Sequence, residues 1–151
     1  MSTNLSFQKL NTGWNAEPNA PHTVVEVSGA DILLRFFLNP FQFPEFGLDD
    51  QGILRFLNVS RYRFGATNDE GWYLGQCRYS ATAPDWGEFY EISGTDPHLD
   101  DPKDWKTVNE TSRASRHFLF YFRDGTFECI ATDWVLEPEP INALFERSRA
   151  R

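Results

Sequence analysis

The sequence predicts a mainly β protein in which about seven or eight antiparallel strands follow one another as hairpins. Short runs of alternating apolar and polar residues, typical of strands with one buried face, recur along the chain. Pairs of turn-forming residues separate some of these runs at the spacing of two-residue hairpin loops. Aromatic residues make up 16% of the 151 residues, and such large side chains need a core. We therefore expect a curved sheet, a sandwich or a partly open barrel.

The chain length fits a single domain, which we divide into three parts. Residues 1–21 are polar and are interpreted as an N-terminal arm or loose lead-in, which Phe7 and Trp14 could tie down. Residues 22–136 form the predicted β core. Residues 140–151 are interpreted as a short C-terminal helix followed by a basic tail.

The β core begins with a predicted hairpin in the stretch HTVVEVSGADILLRFFL. Gly29 and Ala30 form its two-residue loop, because a type II′ turn needs a positive φ at its first central residue. The resulting register gives the hairpin one apolar face. It pairs Val25 with Leu34 and Val27 with Ile32.

A long loop and a second hairpin follow. Residues 39–52 contain two prolines and two glycines, and they are interpreted as a loop with apolar anchors, which could act as a lid. Strand character resumes at residues 53–65, and residues 68–71, centred on Asp69-Glu70, have the composition of a turn. This second hairpin places Arg61, Arg63 and Arg78 on one face.

Three arginines on one face need a negative partner, because like charges opposite each other destabilise a sheet. One interpretation is that they pair with Glu88 or Glu91 of the next predicted strand. The other is that Arg61, Arg63 and Arg78 form a pocket for an anionic or carboxylate ligand.

The longest irregular stretch, residues 93–113, contains an Asp101-Pro102 pair that resembles the start of a helix. Aspartate caps helix N-termini and proline suits the first helical position, so one or two helical turns are predicted there. The acidic residues before it lack the spacing of a calcium-binding loop, and no metal site is predicted.

The strongest local pattern is RHFLFYFRDGTFECIATDW, residues 116–134. Asp124-Gly125 is predicted to form a type I′ turn between two alternating runs. One face of this hairpin is entirely apolar and is expected to lie at the centre of the core. That face carries Phe118, Phe120, Phe122, Phe127, Cys129 and Ala131, whereas His117, Leu119, Tyr121, Thr126, Glu128 and Ile130 share the other. The EPEP segment, residues 137–140, is expected to end the sheet.

The charge balance restricts the classes of partner. The chain carries 14 basic and 22 acidic residues, a net charge of −8. Residues 1–145, without the Arg-rich end, have 11 basic and 21 acidic groups and a net charge of −10. Such a body repels nucleic acids and anionic membranes, so a basic protein is the expected partner. The N-terminus shows no signal-peptide pattern and the two cysteines are isolated, which favours a cytoplasmic protein.

No catalytic, cofactor or metal motif stands out. The three histidines lack metal-ligand spacing, and there is neither a nucleophile elbow nor a phosphate-binding glycine loop. Cys129 is expected to project away from His117, which argues against a thiolate–imidazole pair. We therefore expect no cofactor.

Three functions remain open. The first is a small, acidic, non-enzymatic module that binds a basic protein and neutralises or escorts it, as immunity proteins do with cationic toxins. Its expected contact residues are aromatic or acidic and lie on turns: Trp72, Trp86, Tyr90, Phe43, Asp100 and Asp101. The second is a small-ligand-binding barrel with an Arg61, Arg63 and Arg78 anion pocket. The third is a hydrolase-type enzyme that uses His117 with Glu128 or Cys77.

Overall fold

The computed structural model describes residues 5–18, 21–65, 88–94, 99, 105–122 and 125–139. Within these ranges the chain forms ten β-strands and no helix. The strands are β1 (Ser6–Lys9), β2 (Val24–Ser28), β3 (Asp31–Phe37), β4 (Gln51–Leu57), β5 (Arg61–Gly65), β6 (Phe89–Ser93), β7 (Lys106–Thr107), β8 (Arg116–Phe122), β9 (Gly125–Ala131) and β10 (Asp133–Glu139).

The strands form two antiparallel sheets that face each other as a sandwich. The six-stranded sheet has the order β1-β6-β8-β9-β5-β7, and the four-stranded sheet has the order β10-β4-β3-β2. The predicted mainly antiparallel β class is confirmed, and the sheets do not close into a barrel. Most pairings join strands far apart in sequence, so the fold is not the simple meander that consecutive hairpins would give.

The core between the sheets consists largely of phenylalanine rings. The ring centroid of Phe36 in β3 lies 5.2 Å from that of Phe120 in β8. Phe56 in β4 lies 5.4 Å from Phe127 and 5.5 Å from Phe118. All five rings are at most 1% exposed. Because burial of one such side chain contributes about 1.5–3 kcal/mol, these contacts are the main force that holds the two sheets together.

The β2–β3 hairpin has the predicted register. Val25 pairs with Leu34 and Val27 pairs with Ile32. Gly29 has a φ of 62°, the positive value that the first position of the turn requires. The buried side chains of Ile32 and Leu34 confirm that this face is directed into the core.

The β8–β9 hairpin keeps the predicted faces but not the predicted turn. Phe120 pairs with Phe127 instead of Cys129, which shifts the register by two residues. Gly125 is therefore a strand residue, paired with Phe122, and the type I′ turn at Asp124-Gly125 is wrong. A shift of two leaves every side chain on its face, because strand side chains alternate with a period of two.

A close contact explains why residue 125 is glycine. A Cβ atom at Gly125 would lie 2.3 Å from Cε1 of Phe64 and 2.8 Å from the backbone oxygen of Gly65. Only glycine lets β5 approach β9 this closely without displacement of the backbone.

Residues 5–18 belong to the fold and are not a loose lead-in. Residues Ser6–Lys9 form β1, which pairs with β6 at the edge of the six-stranded sheet. Trp14 is buried in the core and stacks on Phe36 with a centroid distance of 5.8 Å. The tie expected from Phe7 and Trp14 is present, because Phe7 also packs against Tyr90.

The predicted end of the last strand is wrong, because an edge strand tolerates proline. β10 continues through Pro138, which pairs with Gly52, although the EPEP segment was expected to end the sheet. β10 is an edge strand, where proline is tolerated because one row of N–H groups has no ladder partner. Lys106–Thr107, at the end of the predicted helical turns, form the edge strand β7 against β5.

The remaining local predictions lie outside the described residues. They are the turn at residues 68–71, the pairing of Arg61 and Arg63 with residues 76–78, the helix start at Asp101-Pro102, and the helix and basic tail of residues 140–151.

Replacement of Gly125 with alanine tests the close approach of β5 to β9. We expect Gly125→Ala to lower the free energy of unfolding by about 1–3 kcal/mol, because the added methyl group overlaps Phe64 and the Gly65 carbonyl. Chemical denaturation measures this change. Gly47→Ala is the matched control, since a Cβ there meets only Asp50 Oδ2 at 3.9 Å. Equal stability of the two variants would contradict the close approach.

Candidate functional site

The two predicted arginines of β5 that the structure describes stand on the outer face of the six-stranded sheet, around Trp105. The guanidinium carbons of Arg61 and Arg63 lie 4.5 Å and 4.2 Å from the centre of the Trp105 ring. Alternation along β5 directs Tyr62 into the core and both arginines away from it. Cation–π contacts of this kind hold the tryptophan and the two arginines in a fixed arrangement.

Arg63 is neutralised inside the protein by Glu128. Its Nη2 atom lies 3.3 Å from Glu128 Oε2, and both side chains are almost fully buried. The two residues pair directly across β5 and β9. An acidic partner for the arginine face was expected from Glu88 or Glu91, and that assignment is wrong for Arg63. Arg78 lies outside the described residues.

Glu88 and Glu91 have other partners. Glu88 accepts hydrogen bonds from the side chains of Asn11 and Asn15 and lies 3.7 Å from Lys9 Nζ. The N-terminal segment supplies all three groups, which the sequence analysis placed outside the core. Glu91 binds Arg116 through both carboxylate oxygens, at 2.8 Å and 3.0 Å.

His117 shares the carboxylate of Glu128. Its Nε2 atom lies 2.8 Å from Glu128 Oε2, the same oxygen that faces Arg63. His117 also lines a cleft of about 330 Å³ that includes Arg116 and Ser115. The predicted His117–Glu128 pair therefore exists in hydrogen-bonding geometry, whereas Cys77 lies outside the described residues.

Cys129 is separated from His117, as predicted. It is a free, fully buried cysteine on the core face, whereas the pair of His117 and Glu128 is on the outer face. Burial raises the pKa of the Cys129 thiol well above its usual value, and the nearby charge of Glu128 raises it further. The thiol therefore stays protonated at neutral pH and is not a nucleophile.

The loop between β3 and β4 forms another surface, in which exposed apolar side chains lie among carboxylates. Phe41 and Leu48 are 66% and 71% exposed, which are the highest values among the large apolar side chains described. The carboxylates of Glu45, Asp49 and Glu17 lie on or beside the same loop. We call these five residues the acidic loop surface.

Local hydrogen bonds fix the conformation of this loop. Asn39 Oδ1 accepts hydrogen bonds from the backbone N–H groups of Phe41 and Gln42, at 3.0 Å and 3.3 Å. Buried Asp50 accepts one from the Gly47 N–H at 2.8 Å and ties its own carbonyl to the Leu38 N–H. These bonds follow from residue type, since Asn and Asp side chains bond to backbone groups two or three residues away.

The loop also borders a cleft of about 340 Å³. Its walls are apolar, from Phe37, Leu38, Pro40 and Leu48. Glu17, Asp49 and His22 add polar groups to the lining. The His22 ring packs edge-on against Phe37 with a centroid distance of 5.4 Å. A cleft with apolar walls and two carboxylates has the chemistry to hold the aliphatic stem and cationic head of a lysine or arginine.

Of the six predicted contact residues, the structure describes Phe43 and Tyr90, and neither is fully exposed. Phe43 is half-buried and lines a neighbouring cleft of about 400 Å³ with Trp14 and Lys9. Tyr90 was expected on the surface, and that expectation is wrong, because the residue is 1% exposed and packs with Leu119 and Tyr121. Both faces of β6 pack against other side chains, so neither of the two alternating directions exposes Tyr90 to solvent. Trp72, Trp86, Asp100 and Asp101 lie outside the described residues.

Sequence reasoning selected Phe43 as the contact residue from the three phenylalanines of this loop and did not select Phe41 or Leu48. Both follow a turn residue, Pro40 and Gly47 respectively, at positions where a side chain can project from a turn. That signal was available, but it did not separate Phe41 from Phe43 and Phe46, which the structure buries in part.

Comparisons with protein-family models, with curated proteins and with solved structures gave no match. Among the described residues, no three His, Cys, Asp or Glu side chains form a group that could hold a metal ion. The described part of the chain also contains no helix long and apolar enough to span a membrane.

The buried ion pair gives a stability prediction. Glu128→Gln removes the buried carboxylate charge that faces both Arg63 and His117, so we expect a loss of about 3–5 kcal/mol in the free energy of unfolding. Glu137→Gln is the control, because the Glu137–Arg55 pair is partly exposed and its loss costs at most about 1 kcal/mol. Denaturant titrations measure both. If the Glu128 variant loses no more than the control, the pair is not structural.

The raised pKa of Cys129 gives a reactivity prediction. In a Cys77→Ser variant, we expect Cys129 to be inert to a thiol-specific reagent at pH 8 and to react fully once the protein is unfolded by guanidinium. Absorbance of the released chromophore follows the reaction. A rapid reaction of the native protein would show that the thiol is exposed or ionised.

Proposed function

We propose that this protein is a small, acidic, non-enzymatic module that binds a basic protein partner through the acidic loop surface. The observation that carries the proposal is the exposure of Phe41 and Leu48 on a loop that hydrogen bonds hold in one conformation. Apolar side chains presented on a rigid support and flanked by charges are typical of protein-binding surfaces. A fixed loop also binds at a lower cost in conformational entropy.

The charge distribution supports a basic partner. Residues 10–54 contain six acidic residues and a single cation, Arg35. Arg35 is itself 3.7 Å from Glu26. This part of the chain therefore carries a net charge of −5. An excess of negative charge attracts a cationic protein and increases the rate of association.

The cleft beside the loop supplies a specific contact. Lysine and arginine side chains combine an aliphatic stem with a cationic head, and the cleft combines apolar walls with the carboxylates of Glu17 and Asp49. Insertion of one basic side chain there would place apolar partner residues next to Phe41 and Leu48. Neutralisation of a cationic protein in the cytoplasm, as an immunity protein neutralises its toxin, is the biological role that we propose.

A specific observation also favours the enzyme alternative. His117 and Glu128 lie within hydrogen-bonding distance beside a cleft, as a general base and its positioning carboxylate would. The same oxygen of Glu128 faces Arg63, however, so this carboxylate is also part of a buried ion pair. A ligand-binding barrel has less support, because the two sheets do not close and the space between them is filled by aromatic rings.

Affinity purification from a native lysate, with wild-type protein and surface variants as bait, tests the function. We expect wild type to enrich a basic protein, and Phe41→Ser/Leu48→Ser and Glu45→Lys/Asp49→Lys each to weaken its binding at least about tenfold. Calorimetry with the purified partner measures these affinities. Raised salt should weaken the wild-type complex, because the attraction is electrostatic.

The control for the charge change is Glu110→Lys. Glu110 is exposed and lies between β7 and β8 of the six-stranded sheet. Each Glu or Asp to Lys replacement alters the net charge by the same amount. Loss of binding in Glu110→Lys equal to that of a single Glu45→Lys variant would show that net charge, and not the acidic loop surface, attracts the partner. Enrichment of no basic protein would overturn the proposal.

A further inference from the structure

Within the part of the chain that the structure describes, β2 is an open edge of the four-stranded sheet. It pairs with β3 on one side and is the last strand in the order β10-β4-β3-β2. No backbone hydrogen bond joins Val24–Ser28 to any other described part of the chain. The five pairs with β3 run without a bulge from Val24 to Ser28. An edge of this kind exposes a row of N–H and C=O groups that can pair with another strand.

The side chains of β2 do not protect this edge. Val24 and Val27 are 53% and 49% exposed, one on each face of the strand. Natural edge strands are commonly blocked by lysine, proline or a bulge. β2 has none of these and carries a single charge, Glu26, whose pairing with Arg35 is long at 3.7 Å and exposed. The strand thus combines unpaired backbone, apolar side chains and a carboxylate.

The open edge begins beside the acidic loop surface. The Pro21 carbonyl accepts a hydrogen bond from the Phe37 N–H at 2.9 Å, which fixes the chain just before β2. His22 lies between that bond and the strand, and it lines the cleft with Glu17 and Asp49. A segment bound along β2 would therefore reach this cleft at one end.

The charge of Glu26 and the net charge of the chain distinguish two possible occupants of the edge, namely a second copy of the chain and a basic protein. In a symmetric dimer through β2, the centre of Val24–Ser28 would place Glu26 opposite Glu26 of the second copy. Like charges directly opposite each other destabilise a sheet, and each copy carries a net charge of −8. A strand from a cationic protein avoids both the pairing of like charges at Glu26 and the repulsion between two negatively charged copies.

We propose that β2 is the docking strand for an extended segment of the basic partner, which adds as a fifth strand to the four-stranded sheet. This inference rests on the proposed function and specifies its geometry. Side chains of the added strand alternate between the two faces. A lysine or arginine lies opposite Glu26, apolar residues lie opposite Val25 and Val27, and a further cation enters the cleft beyond His22. The segment recognised is therefore one of alternating basic and apolar residues.

The probe is a synthetic seven-residue peptide of alternating lysine and valine, labelled for fluorescence anisotropy. Two peptides of the same charge serve as controls: one scrambled, with its lysines consecutive, and one N-methylated at every second backbone amide. We expect the alternating peptide to bind at least about tenfold more tightly than either control, because strand addition needs both the alternation and the backbone N–H groups. Hydrogen exchange should show new protection of the Val24–Ser28 amides.

A protein variant tests the same geometry from the other side. We expect Glu26→Lys to weaken binding of the alternating peptide at least about tenfold, whereas Glu110→Lys, with the same change in net charge, has a smaller effect. Thermal denaturation verifies that both variants are folded. Equal affinities for the alternating and N-methylated peptides, or no change in exchange at Val24–Ser28, would overturn the inference.

The outcomes separate this inference from the proposed function. If the purified basic partner binds through Phe41, Leu48, Glu45 and Asp49 but ignores Glu26→Lys, the function stands and the docking strand is wrong. If exchange protection of Val24–Ser28 in the protein alone rises with protein concentration, the edge is occupied by a second copy, which also overturns the inference. If no basic protein binds at all, the proposed function itself fails.

Discussion

The packing of phenylalanine rings between the two sheets is the contact on which the rest of the structure depends. β3 and β4 contribute Phe36 and Phe56, and the β8–β9 hairpin contributes the rings opposite them. A β-sheet with one apolar face is stable only when another layer covers that face, so this interface determines which side of every strand is buried. Trp14 fills one part of the same interface and so attaches the N-terminal segment to the core.

Polar groups on the outer face of the six-stranded sheet form a second, smaller layer of specific contacts. Glu128 is central to it, because one carboxylate oxygen lies close to both Arg63 and His117. A charge buried in this way is tolerated only with such partners. The arrangement supplies a buried negative partner for Arg63, one of the arginines of the predicted arginine face. His117 and Glu128, which the enzyme hypothesis pairs, are therefore also part of this structural contact with Arg63.

The features that favour partner binding are at the edges of the sandwich, away from both of these layers. The β3–β4 loop is held by Asn39 and Asp50, whose side chains bond to its backbone and leave Phe41 and Leu48 exposed. β2 is the neighbouring open edge. Both belong to residues 10–54, which contain six acidic residues and a single cation, Arg35. A rigid core that supports an acidic, partly apolar rim is well suited to recognition of a cationic surface, since little of the rim needs to be ordered on binding.

The sequence by itself determined the antiparallel β class, the buried faces of the β2–β3 and β8–β9 hairpins, and the acidic character of the protein. The period-two pattern of β8 and β9 assigns Phe120 and Cys129 to the core and His117 to the other face, and this assignment survives a register shift of two residues. Only the tertiary structure decided contacts between residues remote in sequence. Gly125 is a glycine because Phe64 approaches it, Arg63 is neutralised by a residue 65 positions away, and Pro138 is accommodated because β10 is an edge. Local patterns report the environment of each residue within its own strand, whereas the choice of neighbouring strand depends on how the two sheets pack.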